Sequence, residues 1–272
     1  MADSEDALYV FCFARSNPVL DVPGNGVDGQ HPLWIFHHSP DLCAVVSHVV
    51  AEDFCGEAAE RQMQDLAWLG PRAYRHEAVI EQVMALSPVL PVPFGTLFSS
   101  LQVLSDFMDA HRETILDFLR RVAGHGEWSV RGALNRQLAQ QTAVSSCLAG
   151  QHEQLSAMAE GTRYFAEQRI RNRADDELRD WLQQTSLQLA QDLAAHAVEF
   201  RECKILSRER SEDGVEEVLN WAFLLPDAAR TAFQRRLDRA NLDCGPRGLW
   251  FELSGPWPPF RFVPALKRVT MP

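Results

Sequence analysis

The chain has 272 residues, 46% of them hydrophobic and 23% charged, with a formal charge of -11, a globular composition long enough for about two domains that each bury a core. Residues 201–272 carry 12 basic and 10 acidic side chains, which leaves 14 basic against 27 acidic in residues 1–200. Phosphate affinity is built from clustered Lys and Arg, so this balance argues against nucleic acid or an anionic lipid surface as a partner.

The N-terminus, MADSEDALYVFCFARS, is acidic and has neither the basic flank nor the long apolar core of a signal peptide. No apolar run approaches the ~20 residues of a membrane span, and a cytoplasmic protein is expected. The run ALYVFCFAR at 7–15 predicts a buried strand, and DVPGNGVDGQHP after it reads as a turn-rich loop. LWIFHH at 33–38 and LCAVVSHVV at 42–50 are two more strands, joined across Ser39-Pro40-Asp41. A three-stranded meander is the simplest arrangement. Ala58 to Leu69 predicts a helix that ends at Gly70, and Pro71 suits the first turn of a second, PRAYRHEAVIEQVMAL. Ala73, His76, Ile80, Val83 and Met84 share its apolar face, and Ser87-Pro88 stops it.

VLPVPFGTLF at 89–98 mixes strand formers with two prolines and a glycine, which predicts an edge or irregular strand. Ser99 or Ser100 then caps one helix whose apolar positions run from Leu101 to Val122, ended by AGHG at 123–126. A domain boundary is placed there. WSVRGAL at 128–134 predicts a strand, and a long Gln-rich helical region follows, with breaks at Gly150 and Gly161. Leu178, Leu182, Leu189, Leu193 and Phe200 form a heptad-like stripe with Trp181 beside it; it faces either its own sheet or a partner helix. AVEFRECKILSRE and VEEVLNWAFLLP predict strands around a turn at Glu212-Asp213-Gly214. The helix DAARTAFQRRLDRANL closes at Cys244-Gly245-Pro246, and LWFEL at 249–253 is the last strand.

The expected fold class is therefore α+β with two domains. Residues 1–125 form an N-terminal α+β domain, and residues 126–255 a modified ferredoxin-like (βαββαβ) domain with a long helical insertion. Residues 256–272 form an extended tail rich in proline and aromatics. In LSGPWPPFRFV at 253–263, Leu253 ends the sheet, while Pro256, Pro258 and Pro259 exclude helix and central strand. Trp257, Phe260 and Phe262 need cover, from their own domain or from a partner.

Catalytic patterns are missing from this reading. His76-Glu77 resembles the start of a zinc-protease helix, but Ile80 stands where the second His belongs. His37 and His38 point to opposite faces of a strand and do not converge on one ion. Gly24-Asn25-Gly26 lacks the strand-to-helix context of a nucleotide fingerprint. The six cysteines contain no C-x-x-C pair and read as reduced thiols. No cofactor and no metal are expected.

Three segments, ALYVFCFA, YRHEAVIEQVMALSPVLPVPFGTLFSS at 74–100, and above all LSGPWPPFRFV, resemble the gas vesicle GvpF/GvpL family. Pro93 and Phe260 depart from it, standing where many relatives carry Arg and Tyr. The resemblance implies a non-enzymatic accessory or minor structural protein of gas vesicles, located in the cytoplasm and at the vesicle. It would act in assembly by binding the small hydrophobic main shell protein and other accessory proteins. It also implies an α+β N-terminal domain and a modified ferredoxin-like C-terminal domain with a tail. Phe94, Trp257, Phe260 and Phe262 are the candidate partner-binding residues. The alternative is an enzyme or small-ligand binder on a ferredoxin-like domain, a fold that hosts many functions.

Overall fold

A computed structural model describes residues 6–16, 21–148, 159–205 and 214–266. It is a mixed α/β chain with two antiparallel sheets, and it forms two compact units: Met1–Glu127 with Pro256–Pro272 in one, Trp128–Gly255 in the other.

In the first unit β1 (Asp6–Ala14), β2 (Trp34–Ser39), β3 (Leu42–Val50) and β4 (Val89–Pro91) lie in the order β2-β3-β1-β4, and β5 (Leu97–Phe98) also pairs with β1. The expected meander is thus corrected: β3, not β2, is the neighbour of β1, antiparallel from Asp6↔Val50 to Ala14↔Cys43. The cause is burial. β3 is an almost unbroken apolar run buried along most of its length, whereas β2 carries His37 and His38 and is only half-buried, as suits an edge.

A register shift between Val10 and Cys12 marks a bulge at Phe11. Because the bulge adds one residue, Ala7, Tyr9 and Phe11 and then Cys12 and Ala14 all face one core cluster, shared with Val22, Val27 and Val45. Phe13 is turned toward the opposite side, where it stacks on Phe107 at 6.0 Å. The two short strands β4 and β5 fit the expectation for a proline-rich edge.

Helices α1 (Gly56–Gln62) and α2 (Leu66–Met84) divide differently from the sequence expectation. Asp65 caps α2, accepting from the Ala67 N–H at 2.9 Å, so Gly70 and Pro71 lie inside it and not at a boundary. Pro71 costs one backbone bond, to the Ala67 carbonyl, in the exposed second turn. His76, Val79, Ile80 and Val83 form its buried face. The helix expected from Leu101 to Val122 is two, α3 (Leu101–Ala110) and α4 (Arg112–Val122), separated at His111 (φ -113°, ψ 9°). Ser100 caps α3, its hydroxyl accepting from the Val103 N–H at 3.3 Å.

In the second unit β6 (His125–Asn135) begins three residues before that unit does. It is followed by α5 (Arg136–Leu148), α6 (Glu160–Ala194), β7 (Glu199–Glu202), β8 (Val215–Pro226), α7 (Arg230–Cys244) and β9 (Leu249–Trp257). The sheet order is β7-β8-β6-β9. Period-two residues from three strands form one apolar face: Trp128, Val130 and Leu134; Leu219, Trp221, Phe223 and Leu225; Leu249 and Phe251. Leu178, Leu189 and Leu193 of α6 and Phe233 and Leu237 of α7 belong to the same core, with Trp181, Leu182 and Phe200 against its margin. The heptad-like stripe is therefore core. Phe200 reaches it from β7, not from the helix. Gly161 lies in the first turn of α6 rather than breaking it, and Gly150 and the pair Glu212-Asp213 lie outside the described residues.

Strand β9 continues through Pro256 to Trp257, which corrects the expectation that the sheet ends at Leu253. β9 lies at the edge of its sheet, where proline is tolerated. The same free edge is covered at Phe251 by the Asn241 side chain, whose amide donates to the Phe251 carbonyl at 2.9 Å and accepts from its N–H at 2.7 Å.

Candidate functional site

Phe94 and Phe260 both pack against the hydrophobic core cluster of the first unit. Its aromatic part is built from β1, α2 and the segment after β4. Tyr9 sits 4.9 Å from Phe11 and 5.4 Å from Phe54. Phe94 meets the His76 ring edge-on at 5.7 Å and Tyr9 at 6.1 Å, as ring quadrupoles favour.

Three hydrogen bonds hold this arrangement. The Gly95 N–H donates to the Tyr9 oxygen at 3.1 Å; the Tyr9 hydroxyl donates to His76 Nδ1 at 2.9 Å; His76 Nε2 donates to the Val92 carbonyl at 3.1 Å. A carbonyl only accepts, so the proton of neutral His76 is on Nε2 and Nδ1 receives the tyrosine. The relay pins both ends of Val92–Gly95, and Phe94 is presented between them. Gly95 has φ +80°, a backbone that side chains rarely adopt. Burial lowers the His76 pKa to about 4, partly opposed by the Val92 carbonyl, and burial raises the Tyr9 hydroxyl well above its usual range. Both groups are neutral near pH 7 and serve as fixed hydrogen-bonding parts.

The tail residues divide among three environments. Trp257, at the end of β9, is 40% exposed. Phe260 is half-buried against the cluster. Phe262 is wholly buried in this conformation. The tail is tied down by Glu127. One carboxylate oxygen accepts from the Arg261 N–H at 2.9 Å and the other from its guanidinium at 2.7 Å, while Arg121 donates to the Phe262 carbonyl at 3.0 Å. Neither Glu127 nor Arg121 stands out in sequence, because their partners lie 134 and 141 residues away. His76 had a signal, as a polar residue on the apolar face of a helix.

The histidines of β2 have separate engagements. His37 Nδ1 is paired with Ser16 at 2.9 Å, while His38 donates from Nε2 to Asp109 at 2.9 Å and accepts at Nδ1 from Ser105 at 3.2 Å. Among the described residues no group of three His, Cys, Asp or Glu is placed to hold a metal ion. Burial raises Cys12 far above the ordinary thiol range and Cys43 to about 11, so both remain thiols. Among the described residues no helix is long and apolar enough to cross a membrane.

Residues 7–264 match the family model described as gas vesicle synthesis protein GvpL/GvpF. Gas vesicle protein L of Streptomyces sp. (strain CB03234) is 28% identical over 269 residues, covering 96% of this chain and 94% of its own length. In fold the chain is similar to the gas vesicle protein GvpF of Anabaena sp. PCC7120, with TM-score 0.66, 16% identity, and 96% and 97% of the two chains covered. It is likewise similar to GvpF of Microcystis aeruginosa, with TM-score 0.65, 16% identity, and 95% and 99% covered.

Proposed function

Because the chain belongs to the gas vesicle GvpL/GvpF family, we propose that it is a non-enzymatic accessory or minor structural protein that works in gas vesicle assembly, in the cytoplasm and at the vesicle. In this reading it binds the small, hydrophobic main shell protein and other accessory proteins, and covers their apolar surface until they are placed. The observation that carries the reading is the family match across residues 7–264.

Trp257 and Phe260, with Phe94 beside the cluster that Phe260 joins, are the proposed contact residues; aromatic anchors of this kind dominate the energetics of many interfaces. The second unit is read as a modified ferredoxin-like domain. The element order β6-α5-α6-β7-β8-α7-β9 and the sheet order β7-β8-β6-β9 support it, with the long α6 as the elaboration.

Co-sedimentation of the full chain with purified main shell protein tests the contact. Replacing Trp257 and Phe260 by Ala is expected to weaken binding about tenfold or more with the circular-dichroism spectrum retained. Equal binding by the folded double variant would refute this assignment.

A further inference from the structure

The tail is held by a seat that has the parts of a peptide-recognition site. Glu127, 1% exposed, offers both carboxylate oxygens to a single residue, taking the backbone N–H and the guanidinium of Arg261. That geometry selects an arginine held in one backbone orientation. Arg121, its guanidinium 5.1 Å from the Phe118 ring, is positioned to donate to the carbonyl one residue further on, that of Phe262. Phe262 is wholly buried, Phe260 packs against the hydrophobic core of the unit, and Pro258 and Pro259 are buried ahead of them. Charge, main-chain polarity and two apolar positions are thus all read within three consecutive residues.

The connection to this segment is narrow. β9 is an edge strand that ends at Trp257, two residues after Gly255, whose φ of +136° is open to glycine but costly for other residues. The segment beyond β9 is short, and Phe260–Phe262 closes into a 3-10 turn in which the Phe262 N–H donates to the Pro259 carbonyl at 3.1 Å. The segment's high local concentration, more than the area it buries, keeps the seat filled.

We propose that the first unit contains a binding site for a proline–aromatic–arginine–aromatic turn, occupied in this structure by the chain's own Pro259-Phe260-Arg261-Phe262. Such a site admits the same segment from a second copy whenever the resident one is released. The recognition is that of an arginine-anchored peptide turn: the buried carboxylate sets specificity, and the apolar side chains supply most of the contact. None of this depends on which protein the chain binds in assembly.

The full-length Arg261→Ala variant tests the proposal, probed with a synthetic peptide of residues 256–266, PWPPFRFVPAL. Removing the guanidinium leaves the resident segment weakly held, and amide exchange across residues 257–263 is expected to rise about ten- to hundredfold, with β1, β3 and β8 still protected. The peptide should then bind the variant saturably, bind the unmodified protein at least about tenfold more weakly, and lose binding when its own arginine is replaced by alanine. Unchanged exchange in the tail, or an opened tail with no saturable peptide binding, overturns the proposal, as does equal binding of the alanine peptide. If Arg261→Ala does not fold, Arg261→Lys takes its place, since it keeps the charge and loses the forked geometry. The same outcomes then apply.

Discussion

Replacing His76 by Leu puts the largest demand on the first unit for the smallest change in volume. The side chain is buried, and it links Tyr9 Oη at 2.9 Å to the Val92 carbonyl at 3.1 Å. Leucine fills the space but orphans one buried donor and one buried acceptor, at about 1–3 kcal/mol each, so a loss of about 2–6 kcal/mol at pH 7 is expected. The variant should also change how stability depends on pH. Burial holds the folded-state pKa at about 4, below the ordinary 6.5, so the unfolded chain takes up the proton first as pH falls. His76 thus stabilises the fold fully above about pH 6.5 and progressively less down to about pH 4. A gap of this size corresponds to roughly 2 kcal/mol lost by pH 5 and about 3 kcal/mol below pH 4. Denaturant unfolding at pH 7, 6, 5 and 4.5 would measure it, with exchange at the Val10 and Val92 amides, which bond to Thr96 and Phe11, as a local reporter of the first unit. Carboxylates titrate in both proteins and cancel in the difference. If the Leu variant loses stability between pH 6.5 and 4.5 as steeply as the unmodified chain, the neutral buried His76 is the wrong account.

Two further expectations concern the second unit. A Cβ on Gly132 would lie 2.5 Å from Leu219 Cγ in the core between β6 and β8, so Gly132→Ala should cost about 1–3 kcal/mol in thermal or chemical unfolding; a neutral effect would mean that this core is looser than described. On α6, Leu189→Ala should cost about 2–5 kcal/mol, since Leu189 is core, while Leu187→Ala, at a residue 59% exposed, should stay within about 0.5 kcal/mol. Similar losses for both would show that the far face of α6 is also covered, and would bring back the partner-helix reading of that stripe.

Local pattern was enough for much of the chain. Apolar runs located β1, β2, β3 and β8, the prolines of 89–98 marked an edge, Ser100 started a helix, and the apolar face of α2 was legible at helical spacing. The family was also legible, because it is carried by consecutive residues. These signals depend on neighbours a few positions apart, where spacing and backbone chemistry act directly.

What the tertiary structure decided lies at long separation. That β3 intervenes between β1 and β2 depended on which strand buries more surface, and the unbroken LCAVVSHVV beside the histidine-bearing WIFHH was its only sequence trace. Gly70 and Pro71 looked like a boundary, yet the Asp65 cap started α2 earlier and the packing of its buried face carried it through both. For LSGPWPPFRFV the prolines predict a stiff, extended aromatic segment outside any helix, whereas the structure carries β9 through Trp257 and closes Phe260–Phe262 into a 3-10 turn. Whether its aromatics turn inward could not be read in sequence, because the deciding group, the buried Glu127, sits 134 residues before Arg261. A buried carboxylate is costly without a cation, so the pairing of Glu127 with Arg261, visible only in three dimensions, holds the turn that carries the half-buried Phe260 and the wholly buried Phe262.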